Sequence, residues 1–130
     1  MKISQKRSNK LHRGSTRWVF LTKNYAIKFP SLHSWKNFLS GLLGNIQEIE
    51  FNKLNNEKLC PIKIYAPGGW FVVMSRCKPL TRIEYDKLID HTWLLCYAED
   101  DHVSFMLPVE MKLSSFGWLN GRIVALDYGS

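Results

Sequence analysis

The chain has 130 residues, 45% of them hydrophobic and 22% charged, with a net charge of +7. That length holds one domain, since domains run roughly 100–150 residues, and the composition excludes a disordered or low-complexity chain. No apolar run reaches the ~18–20 residues that span a bilayer. The start, Met1-Lys2-Ile3-Ser4-Gln5-Lys6, lacks the apolar stretch of a signal peptide. A soluble, cytoplasmic protein without a membrane partner is therefore expected.

The first thirteen residues hold Lys2, Lys6, Arg7, Lys10 and Arg13 and no acid, a charge of +5. They read as a solvated basic arm, or as one that steers toward nucleic acid or another acidic partner. The body, residues 14–130, is too nearly neutral for a dedicated nucleic-acid-binding domain. Trp18–Thr22 and Tyr25–Phe29 read as paired strands from their β-branched and aromatic content, with Lys23-Asn24 as a turn in which Asn tolerates positive φ. Ser34 reads as a helix N-cap. Trp35, Phe38, Leu39, Leu42, Leu43, Ile46, Ile49 and Leu54 recur at helical spacing. Gly41 and Gly44 each cost ~1 kcal/mol in a helix, so a break near 40–44 is open and residues 45–55 are the firmer helix. Glu48 and Glu50 lie about 200° apart around it, so only one can face a given neighbour.

Cys60-Pro61 ends that helix. Ile62–Ala66 and Trp70–Met74 read as strands around the turn Pro67-Gly68-Gly69. Thr81 reads as the cap of a helix over about 81–97. Val103–Leu107 is short and apolar. Phe116–Leu119 and Arg122–Leu126 flank Asn120-Gly121, the strongest two-residue hairpin signal. Cys60, Cys77 and Cys96 are an odd number with no C-x-x-C pair. His12, His33, His91 and His102 form no metal-ligand spacing with them, so buried thiols in a reducing compartment are expected rather than zinc.

Ala26-Ile27-Lys28, Glu48 twenty residues on, Val73-Met74-Ser75-Arg76 and the terminal Asp127-Tyr128-Gly129 occur in the order of the protein-kinase and aminoglycoside-phosphotransferase fold, which the chain resembles over about residues 14–130. The resemblance implies an α+β fold: an antiparallel N-lobe sheet with its C-helix, a hinge, and a much reduced C-terminal part ending at a DFG-like motif. It implies that Lys28 pairs ATP phosphates, with Glu48 as its partner. Met74 would be the gatekeeper, Ser75 and Arg76 would enter the hinge, and Asp127 would bind Mg²⁺. Val109–Ser115 is the best match to the catalytic loop, with Glu110 at the base position, Lys112 two residues on, and Ser115 where a second metal ligand stands. Each position also has a plainer reading: Lys28 snorkelling at a sheet edge, Glu48 on a solvated helix face, Asp127 in a turn, Glu110 and Lys112 in an ordinary loop.

The departures from that family set the functional expectation. Gly14 is the only glycine before the second strand, so the phosphate-covering G-x-G-x-x-G loop is absent. The family's first strand is missing or replaced by the basic arm. Glu for Asp moves the base by a methylene, and ~1 Å of misplacement can cost ~10²-fold. No activation segment or substrate lobe follows Gly129. The expected function is a pseudokinase-type binding module that takes a nucleotide, a host protein, or both, with little or no phosphotransfer. In its small size it resembles small phage-encoded proteins, which suggests an inhibitor of a host or defence factor. Two alternatives stand beside this. One is an active minimal ATP- and Mg²⁺-dependent phosphotransferase; the other is a nucleic-acid-binding accessory that uses the basic arm. Aromatic surface left by the missing lobe would suit a dimer or a partner, with Trp93, Tyr97 and Trp118 as candidate cover.

Overall fold

The computed structural model describes residues 9–89, 93, 95–97 and 104–129. Its main element is a five-stranded antiparallel sheet, made of β1 (Lys10–Arg13), β2 (Arg17–Leu21), β3 (Tyr25–Pro30), β4 (Ile62–Tyr65) and β5 (Val72–Ser75) in the order β1-β2-β3-β5-β4. The protein is thus α+β. Lys10 and Arg13 are exposed on an edge strand that pairs with β2 from Lys10–Leu21 to Arg13–Trp18. The last four residues of the expected arm therefore belong to the sheet, because their backbone groups gain partners along β2. Lys2, Lys6 and Arg7 lie outside the described residues.

The β2–β3 turn is the expected pair Lys23-Asn24, closed by the Thr22 N–H donating to the Tyr25 carbonyl at 2.8 Å. Asn24 is not among the residues with positive φ. Helix α1 (Trp35–Asn52) is continuous, without a break at Gly41 or Gly44, and Ser34 caps it by accepting from the Asn37 N–H at 3.1 Å. The glycines have a packing reason. A Cβ on Gly41 would collide with the Thr16 carbonyl and stand 2.8 Å from the Pro30 Cα, so α1 lies directly on the β2–β3 backbone there. The buried face of α1 is Gly41, Gly44, Asn45, Glu48 and Ile49. Most of the apolar stripe read from the sequence points the other way: Trp35, Leu39, Leu43, Ile46 and Leu54 are exposed.

A second antiparallel sheet has the order β10-β9-β6, formed by β6 (Lys78–Pro79), β9 (Phe116–Leu119) and β10 (Arg122–Ala125). Asn120 (φ 53°) and Gly121 (φ 81°) make the β9–β10 turn with positive φ at both positions, as a type I′ hairpin requires. Helix α2 (Arg82–Leu88) starts at Thr81 with the expected cap, completed by the Glu84 side chain bonding back to the Thr81 N–H. It ends nine residues earlier than expected. Ile89 is extended and buried in the core, and Leu95–Tyr97 is strand β7, paired with β8 (Ser104–Met106). A buried β-branched residue with extended backbone ends the helix where helical spacing alone would continue it.

The apolar core joins the two sheets. Ala26 and Met74 from the first sheet meet Phe116, Val124 and Ala125 from the second, with Leu59, Cys60, Leu80, Ile89, Leu107, Val109 and Tyr128. Trp93 packs edge-on against Phe116, and Trp118 donates to Glu84 at 3.2 Å. Tyr97's side chain lies outside the described residues. No helix among the described residues is long and apolar enough to cross a membrane.

Candidate functional site

Four charged side chains meet where α1 crosses β2 and β3 and where the chain leaves β10. Lys28 comes from the inward face of β3, where alternation buries Ala26, Lys28 and Pro30 together. Glu48 comes from the buried face of α1. Lys28 Nζ lies 2.9 Å and 3.1 Å from the two Glu48 carboxylate oxygens and also donates to the Leu126 carbonyl. The choice of Glu48 over Glu50 as partner agrees with this geometry; Glu50 is exposed and pairs with Lys53 at 2.6 Å.

Arg17 and Asn45 complete the cluster, and neither stood out in the sequence. From β2, the Arg17 guanidinium grips Glu48 with both terminal nitrogens, at 2.8 Å and 3.1 Å, and reaches Asp127 at 2.5 Å. Asn45 accepts from Arg17 at 3.1 Å and donates to the Gly69 carbonyl at 2.9 Å. The one available signal was spacing: Asn45 and Glu48 are three residues apart and so share a helix face, which a polar residue between apolar ones can mark. Nothing in the pattern of Arg17-Trp18-Val19-Phe20-Leu21 distinguishes Arg17 from a strand-end cation.

The Asp127-Tyr128-Gly129 segment is anchored to the same carboxylate. Tyr128 donates its N–H to Glu48 at 3.0 Å, its hydroxyl to the Cys60 carbonyl at 2.7 Å, and accepts from Gln47 at 3.0 Å. Gly129 passes so close to α1 that a Cβ there would collide with the Gly44 carbonyl. Glycine at both crossing points lets the two backbones touch.

Two cations and two anions balance inside the cluster. Lys28 is buried, and burial pulls it below the usual lysine value; Glu48 offsets this in part, while the neighbouring Arg17 adds to the fall. For Arg17, burial opposes the charge, but Glu48 and Asp127 outweigh it and hold the guanidinium above its usual value. All three ammonium protons of Lys28 have acceptors, so none is left for a phosphate. Asp127 is neutralised by Arg17. As arranged, these residues do not fit a magnesium ion: the aspartate is taken and no surplus negative charge remains. Among the described residues no group of three or more His, Cys, Asp or Glu side chains converges.

The remaining expected site residues are dispersed. Met74 is buried in the core, and Arg76 donates to the Thr22 carbonyl at 3.0 Å. Ser75 offers its carbonyl to two thiols. Glu110 and Lys112 pair with each other at 3.3 Å on the surface. Ser115 is buried with an unpartnered hydroxyl, and its backbone carbonyl receives the Leu126 N–H at 2.8 Å. None of Glu110, Lys112 and Ser115 contributes a side chain to the Lys28–Glu48 contacts.

Tyr128 makes the cluster sensitive to alkali. Burial, then the charge of Glu48 and the proximity of Cys60, push its phenol above the usual value near 10. The unfolded phenol loses its proton above pH ~10, while the folded one keeps it. The folded state then binds more protons, so stability is intact below that pH and falls as pH rises beyond it. Ultraviolet titration should show a phenol that ionises only with unfolding, and Tyr128→Phe should lose that signal. Full ionisation of all five tyrosines before unfolding would refute the assignment.

No family model matches the chain, and no curated protein matches it.

Proposed function

We propose that the chain is a pseudokinase-type binding module that holds a protein partner on the outer face of α1. The observation that carries this is the apolar surface there. Leu32 and Leu43 are each 66% exposed, Trp35 72% and Trp70 58%, with Leu39 and Ile46 beside them. Trp35 stacks on Phe38 and Phe38 meets Trp70, both at 5.6 Å between ring centroids, so the surface is continuous. Leu32, Ser34, Trp35 and Phe38 line a shallow groove in it. Contiguous exposed apolar surface of this kind marks interaction sites. Lys36, exposed next to Trp35 on the same helix, suits a partner that sets an acidic group beside its apolar contact.

The kinase-like part of the reading draws on the order of the elements and on the Lys28–Glu48 pair beside Asp127. The closed cluster favours binding over catalysis, since the lysine and the aspartate are both spent on neighbours within the fold. Two measurements test it. Labelled ATP with Mg²⁺ should give no phosphate transfer to the chain or to a generic protein substrate; transfer abolished by Asp127→Ala would overturn the reading. A protein co-purifying with the parent chain should be lost with Leu43→Asp and Trp35→Ala, and kept with the surface change Lys112→Ala. Capture unaffected by both α1 changes would remove the assigned surface.

Nucleotide binding is a second reading, favoured by the meeting of Lys28, Glu48 and Asp127. It requires Arg17 to release Asp127 and Lys28 to release the Leu126 carbonyl. ATP with Mg²⁺ would then raise the melting temperature, because a ligand of the native state stabilises it, and the rise would disappear in Asp127→Asn. No rise in the parent leaves the protein-partner reading alone.

A further inference from the structure

The thiols of Cys60 and Cys77 take no part in the ion pairs of the charged cluster. Their sulfurs are 3.6 Å apart, and each is also 3.6 Å from the Ser75 carbonyl. Both are thiols. A disulfide needs an S–S distance of about 2.05 Å, so an approach of roughly 1.5 Å closes the bond. Cys60 is fully buried just before β4, whereas Cys77 is partly exposed on the short link between β5 and β6.

The pair sits at the junction of the two sheets. Cys77 joins a strand of the first to a strand of the second. Cys60 donates its N–H to Ala125 of β10 at 2.9 Å, and its carbonyl receives the Tyr128 hydroxyl. A covalent bond here would tie the β5–β6 link to the segment on which Tyr128 is anchored.

We propose that Cys60 and Cys77 form a reversible intramolecular disulfide when the chain meets a hydroperoxide. Cys77, the less buried of the two residues, attacks first. Its thiolate sulfur takes one peroxide oxygen, the O–O bond breaks, and the released hydroxide gains a proton to leave as water. Cys60 is unsuited to that step: its bond to Cys77 and its burial push its thiol up, so little thiolate forms. It acts second. The Cys60 sulfur attacks the Cys77 sulfenic sulfur, the S–O bond breaks, and the leaving hydroxide takes the Cys60 proton. Two thiols and one hydroperoxide molecule (here H₂O₂) yield one disulfide and two waters, each sulfur losing one electron to the peroxide. A dithiol reductant reverses it by exchange.

The test uses the folded full-length chain, a small excess of H₂O₂, and mass spectrometry without reduction. The expected product is an internal link between the peptides holding Cys60 and Cys77, with Cys96 still open to alkylation. Its melting temperature should rise by about 5–10 °C, since the link restricts the unfolded chain between residues 60 and 77, and dithiothreitol should restore the original value. Cys96→Ser should behave as the parent. Cys60→Ser should accumulate a Cys77 sulfenic acid trapped by dimedone, which separates loss of the resolving thiol from misfolding. A parent that keeps all three thiols, links through Cys96, or carries Cys77 directly to sulfinic acid would overturn the proposal.

Discussion

Replacing Glu48 by alanine is expected to destabilise the chain by about 3–5 kcal/mol, the usual penalty for removing one partner from a buried ion cluster. The carboxylate receives Arg17, Lys28 and the Tyr128 N–H together. Its loss strands two buried cations with only Asp127 to balance them. A domain of this size has about 5–15 kcal/mol to lose, so Glu48→Ala should show a large fall in the urea midpoint or not fold at all. A second variant keeps the claim testable if it fails to fold. Exchanging Arg17, Lys28, Glu48 and Asp127 together for Met, Met, Leu and Asn removes the charges as a set, and should recover much of the stability. Equal stability of Glu48→Ala and the parent would show that the cluster does not brace the fold.

Tyr128→Ala should cost a similar amount, about 3–5 kcal/mol, as for other large buried aromatic residues. Among the described residues Tyr128 is the largest fully buried side chain, and it is the point where α1, the Cys60 segment and the end of β10 are held together. Tyr128→Phe separates the two contributions. It keeps the ring and deletes only the hydroxyl, leaving the Cys60 carbonyl unpaired at a cost of about 1–3 kcal/mol. Denaturant unfolding of the three proteins should therefore rank parent, Phe and Ala in that order. Phe and Ala equal to each other would mean that the ring itself adds nothing, contrary to its burial.

The two predictions bear on function in the same way. The charged cluster braces α1 and the Asp127-Tyr128-Gly129 segment against the sheet. A brace of this kind keeps α1 rigid while its outer face stays exposed. A preformed surface loses less entropy on meeting a partner than one that must be ordered first.

Local chemistry was enough for several elements. Ser34 and Thr81 cap helices because their side-chain oxygens reach the first free N–H groups. Asn120-Gly121 makes its turn because both residues accept positive φ. The Lys28–Glu48 contact was also legible, through the order of motifs and the rule that one glutamate of the two can face inward. What the chain could not disclose is which side of α1 meets the sheet. Hydrophobic periodicity marks a stripe containing Trp35, Leu39, Leu43 and Ile46, and a stripe of that kind ordinarily points to a core. Here the inward face is set by Gly41, Gly44, Asn45 and Glu48. Close backbone approach and a closed set of charges outweigh the burial of the apolar stripe, and both depend on residues far apart in the chain. Arg17 gains its role because Glu48 and Asp127, 31 and 110 residues away, are folded against it. Local pattern thus determined the caps and the turns, and the order of motifs pointed to the α+β class and the lysine–glutamate pair. Tertiary packing alone decided that the pair is sealed by an arginine and that the apolar face of α1 is left to solvent.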